Sequence, residues 1–374
     1  MPMADDLMIL KKICYSKAYS LYGPLFFSEK KERLDWELEK VSAIPGGAGA
    51  FLQMKDFIQK LKICQKNMYK DISMRYGFRG SAASSLIAYL LGISELDPIP
   101  YYPWTFFTGQ KKLYFYLNVS LDLYENMYYW YNNLQIPSFL DIYVCVDTSI
   151  LELIERNTGE FYLLDPMDRK NILVYDADIR KFFKNDSLSE ADSKLRFLTG
   201  FNKEYVPEVY QVLSLIKEYD HLPSSLQEVM VLDGFLHSSF YKREYGHDSY
   251  ISEFFMDWFF YTTHASVYDY IVANPEDIYE NLTCCGCPEK DAIILSRKVQ
   301  RAKQKLTVND WYVIKKYCGS QYADMVSGIE HLYYRSQCME NAIVTTQMIH
   351  YINEDYTIFK EAYDHISNKL GICV

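Results

Sequence analysis

The stretch Gly77-Phe-Arg-Gly-Ser-Ala-Ala-Ser-Ser-Leu-Ile-Ala-Tyr-Leu-Leu-Gly-Ile-Ser-Glu-Leu-Asp-Pro98 decides how the rest of the chain is interpreted. Its first residues, 77–81, predict a glycine-bearing loop, and the apolar run from Ala82 to Leu91 predicts a helix that follows the loop. Backbone N–H groups, hydroxyls and the positive end of a helix can together hold a phosphate. The residues alone leave two interpretations open: an anion site, or a small-residue helix start packed against a neighbouring element.

Helical periodicity precedes this stretch. Apolar residues recur at helical spacing from Asp6 to Tyr22, from Glu29 to Val41 and from Phe51 to Tyr76. The cluster Ile44-Pro-Gly-Gly-Ala-Gly-Ala50 predicts a break between the second and third of these segments. We therefore expect three helices ahead of the loop.

Strand patterns follow the stretch, and helical patterns follow the strands. The alternating runs Leu113 to Leu123 and Ile136 to Cys145 predict two strands of a small sheet between Trp104 and Val146, and the second strand leads into a helix at about 149–156. Beyond Asp176 the chain is persistently helical and is interrupted by prolines. The fold class expected is α+β and predominantly helical, with one domain over 1–175 and an all-helical domain over 176–374.

The quoted stretch resembles the glycine–serine motif with which bacterial C-family replicative polymerases hold the triphosphate of the incoming nucleotide. The trailing Leu-Gly-Ile-Ser-Glu-Leu-Asp-Pro is similar to that family as well, and the helical lead-in from Leu10 to Tyr76 resembles the PolC type of DNA polymerase III alpha subunit. The resemblance implies a palm-like remnant in the N-terminal domain. It also implies that dNTP phosphates are bound by Arg79, Gly80, Ser81, Ser84 and Ser85.

The carboxylates of the family's catalytic centre have incomplete counterparts in this chain. The family places two aspartates one residue apart and a third in a later strand. In Val119-Ser-Leu-Asp-Leu-Tyr124 the first position is Ser120 and the second is Asp122, and Asp141 matches the third aspartate. Asp141 follows Asp122 by only 19 residues, where the family has a large palm segment.

Two-metal phosphoryl transfer needs carboxylates that hold two Mg²⁺ ions. The resemblance implies Mg²⁺ at Asp122 and Asp141 if the chain is active, but the Ser at position 120 supplies no charge, and a non-catalytic homologue is expected. Both aspartates could equally be solvated residues at strand ends. A minimal active polymerase would need a further carboxylate, such as Glu125 or Asp147.

The second half resembles the fingers of PolC-type enzymes from about Asp178 to Tyr356. This resemblance implies a nucleotide contact by His237, although a lone histidine is more often structural. Where the family presents a lysine and a histidine, this chain has Arg335-Ser-Gln-Cys338, so Arg335 is the candidate to replace the lysine one register away.

Charge and composition limit the partners. Because 39 Lys and Arg stand against 49 Asp and Glu, the net charge of −10 argues against a broad DNA footprint. Arg297, Lys298 and Arg301 form a local basic strip. This strip is the candidate for contact with primer-template DNA, and the alternative is an exposed helix face with solvated charges. The 35 Tyr and 21 Phe suit a Tyr-rich core, stacking platforms, or an interface with a replication protein.

Cysteine usage and hydropathy bear on localisation. Nine scattered cysteines indicate reduced thiols, and Cys284-Cys-Gly-Cys287 has no second pair nearby in the sequence, which argues against zinc. No run of about 18 apolar residues predicts a membrane span, and residues 1–12 lack a signal-type apolar run. We expect a cytoplasmic protein without membrane contact. Two functions are carried forward: a non-catalytic polymerase homologue that binds nucleotide or DNA, and a protein-interaction module.

Overall fold

A computed structural model describes most of the chain. The described residues are 3–24, 30–69, 76–99 apart from 81, 83 and 95, 102–103, 113–120, 124, 136–146, 169–184, 193–194, 216, 221–240 apart from 238, 268, 271–300, and 306–364 apart from 328, 358 and 362. The chain divides into two compact units, Met1–Met167 and Asp168–Val374. Each unit is described by itself below.

The first unit consists of helices packed against a small sheet. Its elements in chain order are α1 (Met3–Tyr22), α2 (Lys31–Ser42), α3 (Gly47–Tyr69), β1 (Tyr76–Arg79), α4 (Leu86–Leu90), β2 (Phe115–Ser120) and β3 (Leu140–Val146). Helix α3 begins inside the predicted break, because the small residues Ala48 and Ala50 are buried and a Cβ on Gly47 would lie 2.7 Å from the carbonyl oxygen of Val41. Gly47 permits the start of α3 to approach the end of α2 closely, while Gly46, with φ +71°, makes the turn before it.

The sheet has the strand order β1-β2-β3, with β1 antiparallel to β2 and β2 parallel to β3. Strands β2 and β3 are the two that the alternating patterns predict. A parallel pair of strands cannot be joined by a tight turn, which is consistent with the long stretch of sequence between the end of β2 and the start of β3. The predicted helix at 149–156 lies outside the described residues.

Strand β1 occupies residues that the sequence predicts to be loop. Its register pairs Gly77 with Asn118 and Phe78 with Leu117 on β2. The Phe78 side chain is 1% exposed, and its ring lies 6.2 Å from that of Phe115, edge to face. Cross-strand pairing and burial of Phe78 therefore override the local preference of a glycine-containing segment for a turn.

The core of the first unit lies between the helices and the sheet. Phe115 is fully buried, and its ring also packs edge to face on that of Phe51, with the ring centroids 5.2 Å apart. The other side chains of this core with no more than 1% exposure include Leu10, Leu34, Leu38, Met54, Leu61, Leu86 and Leu117. Burial of so many large apolar side chains is the main force holding α1, α2, α3 and α4 on the sheet.

The second unit is helical, with one two-stranded ribbon. Its elements are α5 (Arg169–Phe182), α6 (Leu226–His237), β4 (Ser239–Phe240), α7 (Pro275–Cys284), α8 (Glu289–Gln300), α9 (Val308–Cys318), α10 (Ser320–Ser327), β5 (Ile329–His331) and α11 (Arg335–Glu354). Helices α5 and α6 both pack on α11, and β4 pairs antiparallel with β5. Position 175, the predicted end of the first domain, lies within α5.

The fold class is thus mostly helical α+β, as the sequence predicts. Within the described ranges, none of the helices combines the length and apolar character needed to span a membrane.

Candidate functional site

The start of α4, predicted to face a phosphate, is filled by a carboxylate from the chain itself. Glu37 on α2 is fully buried, and its Oε1 and Oε2 accept hydrogen bonds from the backbone N–H groups of Leu86 and Ile87, each at 3.0 Å. The Ser85 hydroxyl donates to Oε2 at 2.8 Å and accepts from the N–H of Ala88 at 3.3 Å. The first three amides of α4 are therefore capped internally.

A buried arginine neutralises this carboxylate. Arg33, one turn before Glu37 on α2 and 8% exposed, donates from Nε to Glu37 Oε1 at 3.0 Å. Its Nη1 and Nη2 donate to the carbonyl oxygens of Tyr102 and Ser84 at 2.8 and 2.7 Å. A buried ion pair persists when further hydrogen bonds satisfy both partners, and here the guanidinium also fixes two loop segments on α2.

Two of the predicted phosphate ligands, Ser84 and Ser85, already take part in this buried network. Ser84 and Ser85 are 2% and 0% exposed, and the Ser85 hydroxyl and the α4 amides already have partners within the chain. A phosphate at the same amides would have to displace Glu37. The part of the predicted phosphate loop outside this network is the turn around Gly80, with Arg79 before it; Ser81 and the Arg79 side chain lie outside the described parts of the structure.

The Gly80 turn has a shape that only glycine accommodates well. Its φ is +83°, and a Cβ at this position would lie 2.9 Å from Cδ2 of the Tyr116 ring. Both the backbone angle and the lack of space therefore exclude a side chain. The chain passes directly over Tyr116 as it leaves β1.

The sheet aligns Arg79, in the loop predicted to bind phosphate, with one of the predicted carboxylates. Tyr116 on β2 pairs with Arg79 on β1 and with Asp141 on β3, so these three residues form one row across the sheet. The Asp141 side chain is exposed, whereas its neighbour Leu140 is 6% exposed. Adjacent strands lie about 4.8 Å apart, so the Arg79 and Asp141 backbones are separated by about 10 Å.

The same register places Asp141 away from the end of β2. Ser120 is the last residue of β2 and pairs with Val146. Ser120 is four residues beyond Tyr116 on β2, so it lies about 13 Å from the row that contains Asp141. Asp122, Glu125 and Asp147 lie outside the described residues. In the parts of the chain that are described, no group of three or more His, Cys, Asp or Glu side chains could hold a metal ion. Asp141 has Tyr116 and Arg79 as its row neighbours on the sheet.

Arg335, predicted to contact a nucleotide, is engaged by acidic side chains. It is the first residue of α11, and its guanidinium donates to Asp277 Oδ1 at 2.7 Å and to Glu280 Oε1 at 2.9 Å. Both carboxylates belong to α7, and only 12% of the Arg335 side chain is exposed. Burial disfavours the charged guanidinium, but the surrounding carboxylates outweigh burial and raise the pKa of Arg335. The structure thus gives Arg335 the role of joining α7 to α11.

A third acid, Glu276, lies beneath this pair. It is fully buried, and its Oε2 accepts the backbone N–H of Arg335 at 3.1 Å. Burial raises the pKa of Glu276 to about 7, against the lowering effect of the nearby Arg335 charge. Since a carboxyl group in water has a pKa near 4.5, folding takes up a proton at this position between those two values.

The buried Glu276 carboxyl predicts a pH dependence of stability. Its contribution is fully favourable below about pH 4.5 and is lost as the pH rises through about 7, because the ionised form is the one that burial penalises. We expect Glu276→Gln, which stays neutral, to gain stability relative to the wild type between pH 5 and pH 8, by up to about 3 kcal/mol. Urea unfolding of both proteins at the two pH values measures this difference. A constant difference across that range would contradict a buried, titrating Glu276.

One residue of the predicted DNA-binding strip, Lys298, is engaged in an ion pair within the chain. Lys298 on α8 donates to Oδ1 and Oδ2 of Asp310, both at 2.7 Å, and Asp310 also accepts from the Thr307 N–H at the start of α9. Lys298 therefore fixes α8 to α9. Arg297 is half-buried on α8, Arg301 lies outside the described residues, and His237 ends α6 with its side chain undescribed.

The sequence contains a signal for the Arg33–Glu37 pair outside the Gly77–Pro98 motif. Arg33 and Glu37 alternate with Leu34, Leu38 and Val41 on the buried face of α2. Opposite charges four residues apart on an apolar helix face indicate a buried pair that must find further partners. The pairing of Arg335 has no comparable signal, because its partners are 55 and 58 residues away.

Comparison with known proteins relates this first unit to one family. Residues 8–141, from α1 to the second residue of β3, match the model described as the bacterial DNA polymerase III alpha NTPase domain. The chain is similar to the DNA polymerase III subunit alpha of Aquifex aeolicus, with 48% identity over 68 residues, or 18% of this chain and 5% of the relative.

Two further relatives are also similar to this chain. The DNA polymerase III PolC-type of Pediococcus pentosaceus is 32% identical over 102 residues, which is 27% of this chain and 6% of the relative. The DNA polymerase III subunit alpha of Halalkalibacterium halodurans is 34% identical over 93 residues, which is 25% of this chain and 8% of the relative. The aligned segments are thus less than a tenth of these relatives in length. They confirm the resemblance that the sequence motif indicates.

Proposed function

Because residues 8–141 are related to the bacterial DNA polymerase III alpha NTPase domain, we propose that this chain is a non-catalytic homologue of such polymerases that retains a weak nucleotide site. The site consists of Arg79, the Gly80 turn and Ser81. The observation that carries the proposal is the cross-strand row in which Arg79 and Asp141 flank Tyr116. The sheet orders this end of the phosphate loop independently of the internally capped α4.

The absence of catalysis is proposed from the carboxylates. Ser120 stands where the family has its first metal-binding aspartate, and no hydroxyl replaces that charge. Mg²⁺ in such an enzyme would stabilise the attacking and leaving oxygens, which requires several carboxylates around two ions. The described neighbours of Asp141 do not supply them. Asp141 is then an exposed carboxylate on a retained sheet.

Weak binding follows from the number of groups that remain for a phosphate. Glu37 takes the α4 amides, and its negative charge lies beside the position where a phosphate on those amides would sit. The chain also carries a net charge of −10. Arg79 is left as the main cation of the proposed site, so we expect dissociation constants in the millimolar range and only local contact with primer-template DNA.

Thermal unfolding tests this proposal. At a dNTP concentration about ten times the dissociation constant, linkage stabilises the folded state by about 1.4 kcal/mol, which raises Tm by a few degrees. Arg79→Ala should abolish the shift, while Lys60→Ala, which removes an exposed charge on α3, should keep it. A nucleoside without phosphates should give no shift. A shift that survives in Arg79→Ala would refute the proposed site.

A second function, that of a protein-interaction module, is favoured by the outer face of α1. Met8 and Tyr19 are 65% and 59% exposed, and their spacing of 11 residues puts them on one side of the helix. Exposed apolar and tyrosine side chains suit a contact with a protein such as a replication factor. Absence of any dNTP shift in the wild type would favour this function over nucleotide binding.

A further inference from the structure

Two helix ends in the second unit bring cysteines together. Helix α7 ends at Cys284 with Cys285 as its C-cap, and the neighbouring α9 ends at Cys318. Beside these ends, Asn281 in the last turn of α7 donates from Nδ2 to the hydroxyl of Tyr322, four residues after Cys318, at 3.2 Å. The Cys285 thiol is close enough to hydrogen-bond with Cys318, and Cys287 is close enough to act on Cys318 electrostatically. The sequence shows only the Cys284–Cys287 cluster; the partner at position 318 becomes visible in the fold.

The backbone holds both cysteines in fixed turns. After Cys285 the chain turns at Gly286, with φ +85°, and the N–H of Cys287 donates to the carbonyl oxygen of Leu282 at 2.9 Å. After Cys318 it turns at Gly319, with φ +88°. Glycine is the residue that adopts such angles without strain, so each helix ends directly at its cysteine.

We propose that Cys285 and Cys318 are a redox-modification site that forms a reversible disulfide between α7 and α9. The oxidant is a low-molecular-weight disulfide. The Cys285 sulfur attacks one sulfur of the oxidant, loses its proton and releases one small thiol, which leaves a mixed disulfide on Cys285. The Cys318 sulfur then attacks the Cys285 sulfur, and the second small thiol leaves with the Cys318 proton. Two protein thiols are oxidised and one small disulfide is reduced to two thiols.

The order of the two steps follows from access to solvent. Cys285 is exposed, whereas Cys318 is half-buried. Burial, followed by the hydrogen bond with Cys285, raises the pKa of Cys318 to about 12, so in the dithiol form Cys318 keeps its proton near neutral pH and does not attack the oxidant. Once Cys285 is part of the mixed disulfide, its thiol no longer raises the pKa of Cys318, and Cys318 attacks as the thiolate. The exposed cysteine is therefore the one that meets the oxidant, and the half-buried cysteine resolves the mixed disulfide.

A disulfide accounts for this cluster better than a metal ion does. Structural zinc requires four ligands in tetrahedral geometry, and the described residues contain no metal-holding group of three or more cysteine, histidine or acidic side chains. Cys287 is 5% exposed and Cys284 is exposed, and neither is hydrogen-bonded to Cys318.

The bond would act on the part of the fold that Arg335 joins. It would close the loop from Cys285 to Cys318, which contains α8, and would tie the C-terminal end of α7 to that of α9. Helix α7 also carries Asp277 and Glu280, the partners of Arg335. Oxidation would therefore restrain separation of α7 from α9, beside the contact through which α7 binds Arg335 of α11.

Oxidation of the folded full-length chain with glutathione disulfide tests the proposal. Free thiols are then alkylated, and a proteolytic digest is analysed by mass spectrometry before and after dithiothreitol. We expect a Cys285–Cys318 cross-linked peptide in the wild type and in the control Cys284→Ser, and its loss in Cys285→Ser and in Cys318→Ser. Each variant is first checked for a wild-type circular dichroism spectrum.

The trapped intermediate gives a second readout. In Cys318→Ser the glutathione adduct should remain on Cys285, because no thiol resolves it, whereas Cys285→Ser should show no adduct at Cys318. The proposal is overturned if Cys285 pairs with Cys284, with Cys287 or with another copy of the chain. It is equally overturned if Cys285 and Cys318 are both recovered as free thiols from oxidised wild type.

Discussion

Replacing Glu37 by Gln is expected to lower the free energy of unfolding by about 3 to 5 kcal/mol. The substitution leaves the Arg33 guanidinium buried without its counter-charge, and it places an amide NH₂ where one carboxylate oxygen now accepts hydrogen bonds. Because Glu37 accepts from Arg33, Ser85, Leu86 and Ile87, several buried donors lose a charged acceptor at once. Urea unfolding of the wild type and the variant measures the loss.

Glu39→Gln is the matched control, since Glu39 lies on the same helix. Its side chain is 72% exposed and forms an ion pair with the neighbouring Lys40. A change within about 0.5 kcal/mol is expected for this surface substitution. If Glu37→Gln costs no more than the control, the buried network does not stabilise the first unit in the way the contacts imply.

The double variant separates pairing from burial. Arg33→Met and Glu37→Met together remove both charges, so their combined cost should be less than the sum of the single costs. Additive costs would show that Arg33 and Glu37 act independently. That result would contradict their assignment as an ion pair.

Replacing Arg335 by Leu is the second change with a large expected effect, again about 3 to 5 kcal/mol. Asp277 and Glu280 lose their shared partner, and the fully buried Glu276 loses the nearby positive charge that favours its ionised form. Lys at position 335 should restore only part of the stability, because an ammonium lacks the fork with which the guanidinium reaches two carboxylates. Urea unfolding at pH 8, where Glu276 is ionised, gives the largest signal.

Arg180→Leu serves as its control. Arg180 lies in the last turn of α5, and its guanidinium donates to the carbonyl oxygen of Ser224 at 3.2 Å in an exposed setting. We expect a small change from this substitution. Equal effects at positions 335 and 180 would mean that the α7–α11 contact through Arg335 adds little to stability, and would reopen Arg335 as a ligand-binding residue.

The sequence predicts the fold best where one signal dominates. The helices α1 and α2 and the strands β2 and β3 follow from periodicity alone. Strand β1 and the start of α3 do not, because Gly77 and Gly47 have a local preference for turns that is overridden by pairing with Asn118 and by close approach to Val41. Glycine marks both a break and a close contact, and only the neighbours decide between them.

The candidate site is harder to predict because its electrostatics are non-local. The Gly77–Pro98 motif indicates a resemblance, and the match of residues 8–141 to the family model agrees with it. The motif does not show that Glu37 fills the start of α4. Similarly, the sequence around Arg335 does not show that its guanidinium is paired, because its acidic partners come from α7. A charged residue in a sequence is a candidate ligand only until its neighbours in the fold are known.

The internal cap on α4 also bears on what can be cut out of this protein. A helix of only five residues has too few internal hydrogen bonds to be stable by itself, and here its first amides are satisfied by a side chain that is 48 residues distant from Ser85. The recognisable motif is therefore half of a composite unit whose other half is α2. A peptide or a grafted segment that carries residues 77–98 without Arg33 and Glu37 would contain the sequence motif but would lack the contacts that hold the start of α4 in its helical conformation.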